Sequence, residues 1–473
     1  MSADPLIVGN NLAAMVAALE LARCGCPVRL LNPARGWGGH FAGFRLGERR
    51  FDAGMILLEF GAFNAEASPD LQDYDPGRRN DCGRFAARVG AYVQGLLPCR
   101  EIATPSLLHA GRILPDLFIA NRFDVLKTLT PELAARIHGE LEHICRTPRG
   151  RLHASRKLAD TLFLDTDLET ASTANHGPSL HAELFEPLCR KIAGCATREV
   201  IALYHRVPWL PLFHPETLLS QFTTTPQQLP ATRFHYPVAG HAGALAEALA
   251  ACIAIHPGIE VIAAQPVAAQ CQGRTVQLTL ADGRQLATEQ LAWSADPSRL
   301  LGLLDPQAEQ PAYQRASVGL GFMVIPAHKL LRSFSTLFVP DARYASYRIT
   351  DQEVCAGLDP AEHRLVVECR PPSEASGPEA ASGDTLLARE LADMGVIDAP
   401  ESVTWSTTMT LDQALMHPGW HNRRQFLSQL AGLQEQLPST ALIGASAGFF
   451  ASSLNDQVVQ GLKLADTWSK AWT

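Results

Sequence analysis

Residues 5–32, PLIVGNNLAAMVAALELARCGCPVRLLN, constrain this 473-residue chain more than any other stretch. LIVG is a short apolar run of the kind that forms a parallel strand buried on both faces. From Leu12 the period changes. Leu12, Met15, Val16 and Leu19 repeat at helical spacing, and Gly25 is placed to end the helix. PVRLLN then reads as a second strand. Strand, tight turn, helix and strand within about thirty residues make a βαβ unit. The N-terminus of its helix, opening at Leu12, offers free N–H groups to a phosphate.

A dinucleotide-binding turn of this kind follows the pattern G-x-G-x-x-G, with alanine accepted at the last place. Gly9 keeps the tight turn, and Ala14 holds the last place. Asn11 stands where a glycine lets the backbone approach a pyrophosphate; Asn tolerates left-handed backbone angles better than most residues. Asn32 falls in the register of the acid that grips a ribose, and offers a hydrogen bond there without a charge. A βαβ unit without a ligand fits the same residues. So does an NADP site, in which neutral Asn32 and nearby Arg35 accept a 2′-phosphate.

Composition narrows the class. Hydrophobic residues at 47% and charged residues at 19% are ordinary for a globular chain, and the length suffices for two or three domains. A formal net charge of -8 with no long Lys/Arg run argues against an electrostatic grip on nucleic acid or an anionic membrane. Eleven cysteines without a CxxC pair read as reduced thiols of a cytosolic protein. Cys24-Gly25-Cys26 is too close for zinc and reads as two small buried residues around a helix stop. No charged leader precedes the first strand, and no apolar run approaches the ~20 residues of a membrane span. The expected setting is therefore soluble and cytoplasmic. His205, His214, His235 and His421 are scattered without metal-ligand spacing, so no metal site is expected.

Beyond the second strand, NPARGWGGHFAGFRLGERRFDAG places Gly36, Gly38 and Gly39 beside the nucleotide end of the first helix, where backbone N–H groups can cradle phosphate. Asn32, Gly38-Gly39 and Phe51-Asp52-Ala53-Gly54 together resemble the FAD-binding family of amine oxidases, phytoene desaturases, protoporphyrinogen oxidase and UDP-galactopyranose mutases. Two later stretches are similar to that family in the same order. From FHYPVAGHAG a helix leads to a strand near Val261, a meander with turns at Gly273 and Asp282-Gly283, and a last strand, QLAWSA. The chain ends with the strand ALIGA and a helix for which Asn455 reads as the N-cap.

The resemblance implies an FAD site built from Gly9, Asn11, Leu12, Ala14, Asn32, Arg35, Gly38, Gly39 and Gly444. It implies that the strand pair around Val267 meets the adenine. It also sets Asn455, Asp456 and Gln457, in the first turn of the last helix, against the pyrimidine edge of the flavin. The sequence departs from the family at Ala445, where an Asp or Arg is usual. FSTLFVPDARYASYRIT resembles a segment of the sugar mutases in which an arginine grips the substrate diphosphate, and matches it with Tyr347 and Arg348. A structural pairing of Arg348 with Asp341 or Glu368 is equally open. Gly54-Met55 replaces the Gly-His pair of the mutases, and His40 does not match that histidine.

The fold class expected is α/β: a discontinuous Rossmann-like FAD-binding domain over residues 1–65, 230–300 and 437–473, with a mixed α+β substrate domain over 66–229 and 301–436. The first excursion reads as mainly helical, with ELAARIHGELEHICRTPRGRLHASRKLADTLF as amphipathic stretches. The second alternates strands with a polar surface loop, PPSEASGPEAASGD. The expected function is removal of hydride from a small organic substrate by FAD, with no catalytic side chain identified. Its rivals are a mutase-like flavoenzyme without net redox change and a flavin-free scaffold, which would act through a protein partner.

Overall fold

A computed structural model describes residues 4–34, 36–60, 69–78, 81–115, 121–147, 163–229, 232–307, 312–371 and 383–470. Arg35, residues 148–162 of the amphipathic stretch and 372–382 of the polar loop lie outside the described residues. The chain has an α/β fold of two units. One comprises Met1–Cys99, His241–Ala312 and Arg423–Thr473, the other Arg100–Gly240 and Tyr313–Asn422.

In the first unit, β1 (Leu6–Val8), β2 (Val28–Leu31), β3 (Ile259–Ile262), β4 (Leu291–Trp293) and β5 (Ala441–Leu442) form one sheet in the order β3-β2-β1-β4-β5. Every pairing is parallel. The chain builds one edge through β2 and β3, then returns to add β4 on the other side of β1. In an open sheet of this order, loops leaving the carboxyl ends on either side of that reversal diverge and leave a crevice. The unbroken apolar run of β1 fits its position, since Leu6, Ile7 and Val8 are all buried.

Helix α1 (Leu12–Arg23) is buried at every position from Leu12 to Leu19, more than the one stripe its hydrophobic period requires. Its alanines explain this, because they let α2 (Ala244–Ile255) and α3 (Leu454–Ser469) both approach it. The crossing with α3 is tightest at Gly461. A Cβ there would lie 2.7 Å from Val16 Cβ and 2.8 Å from the Ala13 carbonyl oxygen. Gly461→Val is therefore expected to destabilise the protein by about 1–3 kcal/mol through overpacking. Thermal denaturation measures this, and an unchanged midpoint would mean that the helices do not cross so closely.

The meander follows β3 as strands Pro266–Gln272, Thr275–Leu280 and Gln285–Thr288. Gly273 and Gly283 take positive φ in its turns. Val276, Leu278 and Leu280 from the meander join Leu6, Val8, Leu31, Leu291 and Trp293 in one apolar core.

The second unit is organised on a seven-stranded sheet. Its centre is the long strand Arg315–Pro326, antiparallel to Glu362–Cys369 on one side and Trp405–Met416 on the other. Ser346–Asp351 and Thr336–Phe338 extend it, followed by the parallel addition of Ser106–His109. Leu337, Ile349, Leu365 and Val367 pack with Leu387, Leu391 and Ile397 to form the core. Helices Pro131–Arg146, Leu168–His176 and Glu186–Ala193 belong to the same unit. Among the described residues, no helix is long and apolar enough to cross a membrane.

Candidate functional site

The turn between β1 and α1 opens at Gly9, whose N–H donates to the Leu31 carbonyl at 2.9 Å and ties the end of β1 to β2. Asn11 is not left-handed as its side chain would have allowed. It has φ -80° and ψ 172° and caps α1. The extended backbone is what an N-cap requires, so that its side chain can turn back to the helix. Oδ1 accepts from the Ala14 N–H at 3.1 Å, while Nδ2 donates to the Ser294 carbonyl at 2.8 Å. Among the described residues, the Leu12 and Ala13 N–H groups meet no acceptor, although both residues are buried. Two unsatisfied donors at a helix N-terminus fit an anionic group.

The loop after β2 folds onto this turn. Asn32 is 6% exposed and its side chain is engaged locally: Oδ1 accepts from the Ala34 N–H at 3.0 Å, and Nδ2 donates to the Gly36 carbonyl at 3.3 Å. Asn10 donates to the same Gly36 carbonyl at 2.9 Å, and the Gly38 N–H donates to the Asn10 carbonyl at 2.7 Å. Gly38 is glycine for conformation and packing alike: φ is +93°, and its Cβ would lie 2.5 Å from Ala246 Cβ on α2. Gly39, at φ +58°, is exposed beside Asn11. Asp52, from the FDAG segment, is buried and accepts from the Ala242 N–H at 2.8 Å, fastening that segment just before α2.

Val267 is 50% exposed at an irregularity in the first meander strand. Two residues earlier, Gln265 Nε2 donates to the Pro33 carbonyl at 2.7 Å, so the meander entry meets the loop after β2. Gly444 follows β5 at φ +60°, and a Cβ there would lie 2.4 Å from Asn11 Nδ2. Its N–H donates to Gln460 Oε1 at 2.6 Å. The structure thus brings Gly9, Asn11, Leu12, Ala14 and Gly444 together around the carboxyl ends of β1, β4 and β5.

At α3 the cap is Ser453, not Asn455. The Ser453 hydroxyl accepts from the Asp456 N–H at 3.1 Å, and the Asp456 carboxylate reaches back to the Ser453 N–H at 3.3 Å. This reciprocal box satisfies two end groups at once, which an Asn455 cap would not. Asp456 also accepts from the Tyr74 hydroxyl at 2.7 Å. Asn455 donates to the Glu59 carbonyl at 3.0 Å, and Gln457 to the Ser452 carbonyl at 3.1 Å. Gln457 Oε1 is buried without a partner, and the Leu454 and Asn455 N–H groups find no acceptor among the described residues.

Tyr347 and Arg348 lie in the second unit. The Arg348 guanidinium makes a two-pronged pair with Glu368 across neighbouring strands, with Nε to Oε2 at 2.8 Å and Nη2 to Oε1. The Glu368 side chain is buried and that of Arg348 nearly so, and the guanidinium lies 5.9 Å from the Phe338 ring and 5.5 Å from the Tyr347 ring. Burial opposes the charge on Arg348 and the Glu368 carboxylate favours it; the net effect raises its pKa. Burial, then the Glu368 carboxylate, pushes the Tyr347 phenol up. Of the two partners open to Arg348, Glu368 is the one it takes. Asp341 pairs with Arg343 instead.

Ser294, Gln460 and Tyr74 take part in these networks without any local sequence signal. Ser294 Oγ is also buried, with no hydrogen-bond partner among the described residues. Ser453 was recognisable, because Ser-x-x-Asp is a capping-box pattern. Among the described residues, no cluster of three His, Cys, Asp or Glu side chains could hold a metal.

No family model and no curated protein matches this sequence. Solved structures do match its fold. Reduced UDP-galactopyranose mutase aligns over 100% of this chain and 96% of its own, with a TM-score of 0.69 and 13% identity. Cyclohexylamine oxidase from Brevibacterium oxydans covers 100% of both chains, at 0.62 and 14%. Putrescine oxidase covers 100% and 99%, at 0.57 and 10%. The chain therefore has the fold that amine oxidases and UDP-galactopyranose mutase share, the group it resembles in sequence motifs.

Proposed function

We propose that this protein is an FAD-dependent oxidoreductase that removes hydride from a small organic substrate. The observation that carries the proposal is the pair of unsatisfied N–H groups of Leu12 and Ala13, set at the reversal point of a 3-2-1-4-5 parallel sheet. These donors fit a diphosphate. The first turn of α3, where the Leu454 and Asn455 N–H groups meet no acceptor among the described residues, suits the electron-accepting end of a flavin. In this reading Gly9, Ala14, Gly39 and Gly444 shape the crevice, Gly38 belongs to the loop beside it, and Val267 lies toward the adenine. Bound there, FAD supplies the redox chemistry, and the protein positions it and excludes water. The oxidase names of two structural neighbours support the redox class.

Two other readings each have an observation behind them. The likeness to UDP-galactopyranose mutase favours a flavoenzyme without net redox change. There Arg348 would hold an anionic substrate, for which it must leave Glu368. The inward-turned side chains of Asn11 and Asn32 favour a flavin-free scaffold. Titrating the purified protein with FAD, followed by flavin absorbance and fluorescence, separates these. One FAD per chain is expected. No uptake at saturating FAD would eliminate both flavoenzyme readings. With flavin bound, anaerobic bleaching by amines or polyenes identifies an oxidoreductase, and turnover of UDP-galactopyranose without bleaching identifies a mutase.

A further inference from the structure

The carboxamide of Asn11 lies across the crevice that the sheet order creates. Its backbone follows β1, and its Nδ2 donates to the carbonyl of Ser294, the first residue after β4. These are the two strands flanking the reversal, so one hydrogen bond spans the place where an open α/β sheet takes its ligand. Gly444, after β5, completes the closure: its missing Cβ would lie 2.4 Å from Asn11 Nδ2 and 2.7 Å from the Ser294 carbonyl oxygen. A single carboxamide thus ties the loops after β1 and β4 and packs against the one after β5. Its oxygen is held by the Ala14 N–H and fixes the side chain in place. In the G-x-G-x-x-G pattern the second glycine leaves this space clear for the pyrophosphate.

We infer that Asn11 is a displaceable latch across the crevice, so that the dinucleotide is a dissociable ligand and not a permanently held one. This rests on the FAD reading proposed above. Binding must break the Asn11–Ser294 hydrogen bond or compress the ligand against it. The Leu12 and Ala13 N–H groups lie immediately behind the latch in sequence and offer the replacement contact. Asn32 gives no compensating grip at the ribose end, since both ends of its carboxamide serve its own loop.

Asn11→Ser and Asn11→Gly test the latch without removing the helix. Serine keeps a side-chain cap, and glycine at an N-cap costs only a few tenths of a kcal/mol. Neither reaches Ser294. Both variants are expected to bind FAD about ten-fold more tightly than wild type, the scale of one net hydrogen bond. Both should also melt at a lower temperature without ligand, because the tie between β1 and β4 is gone. Wild type should lose bound FAD on dialysis. Equal or weaker FAD affinity in both variants overturns the latch while leaving the FAD reading intact. So does wild-type protein that retains a full complement of FAD through dialysis. If wild type and both variants all fail to take up FAD, the FAD reading fails and the latch with it.

Discussion

Arg348→Ala is expected to lower stability by about 3–5 kcal/mol, because it leaves the Glu368 carboxylate buried without its counter-charge. An exposed ion pair would be worth at most about 1 kcal/mol. Here the side chains of Arg348 and Glu368 are 11% and 6% exposed. The guanidinium is also enclosed between Phe338 and Tyr347, so water cannot easily replace it. Glu368→Gln should have a smaller but similar effect, since a neutral amide returns part of the hydrogen bonding. The informative variant is the double one. Arg348→Met with Glu368→Leu removes both charges and keeps apolar volume, so it should be more stable than Arg348→Ala alone. Urea denaturation of the three variants reads these differences. A near-neutral Arg348→Ala would show that the arginine is not committed to Glu368, and would return it to the list of residues able to hold an anionic substrate.

The contrast between Arg348 and the first βαβ unit shows which signals a sequence carries on its surface. β1, α1 and β2 were legible because each depends on neighbours a few positions away: an apolar run, a helical period, a glycine after the last turn. Gly25 does take positive φ just past α1, and Gly273 and Gly283 do the same in the meander. The role of Asn11 could not be read this way. Its partner Ser294 is 283 residues distant, and only the return of the chain to add β4 beside β1 brings them together. Asn32 is a different case. Asn readily bonds to backbone two residues ahead, so its contact with Ala34 was available as a local alternative to a ribose contact. The same holds at α3, where Ser453-x-x-Asp456 was a stronger cap signal than Asn455. Local competition among short polar residues, more than the absence of a signal, accounts for both differences. Glu368 was one of two acidic candidates for Arg348, and strand register chose between them: Glu368 faces Arg348 directly across the pair.

Gly9→Val should be the most damaging substitution in the first unit, for two independent reasons. Gly9 has φ +139°, a region in which a β-branched residue is a severe outlier. Holding a side chain there costs about 1–3 kcal/mol from backbone strain. Its Cβ would also fall 1.7 Å from Ser294 Oγ and 3.0 Å from Ser294 Cβ. Rotating the hydroxyl away relieves the first overlap but not the second, so the loops after β1 and β4 must separate. That separation stretches the Asn11–Ser294 bond and shifts the Leu12 and Ala13 donors. The variant should therefore melt well below wild type and take up no FAD. Combining Gly9→Val with Ser294→Gly isolates the two causes, because it removes the overlap and leaves the strain. The double variant should recover part of the lost melting temperature but little of the FAD binding, since the turn presenting the N–H groups stays distorted. Wild-type melting and FAD uptake in Gly9→Val alone would mean that the β1 turn neither holds this conformation nor borders the ligand.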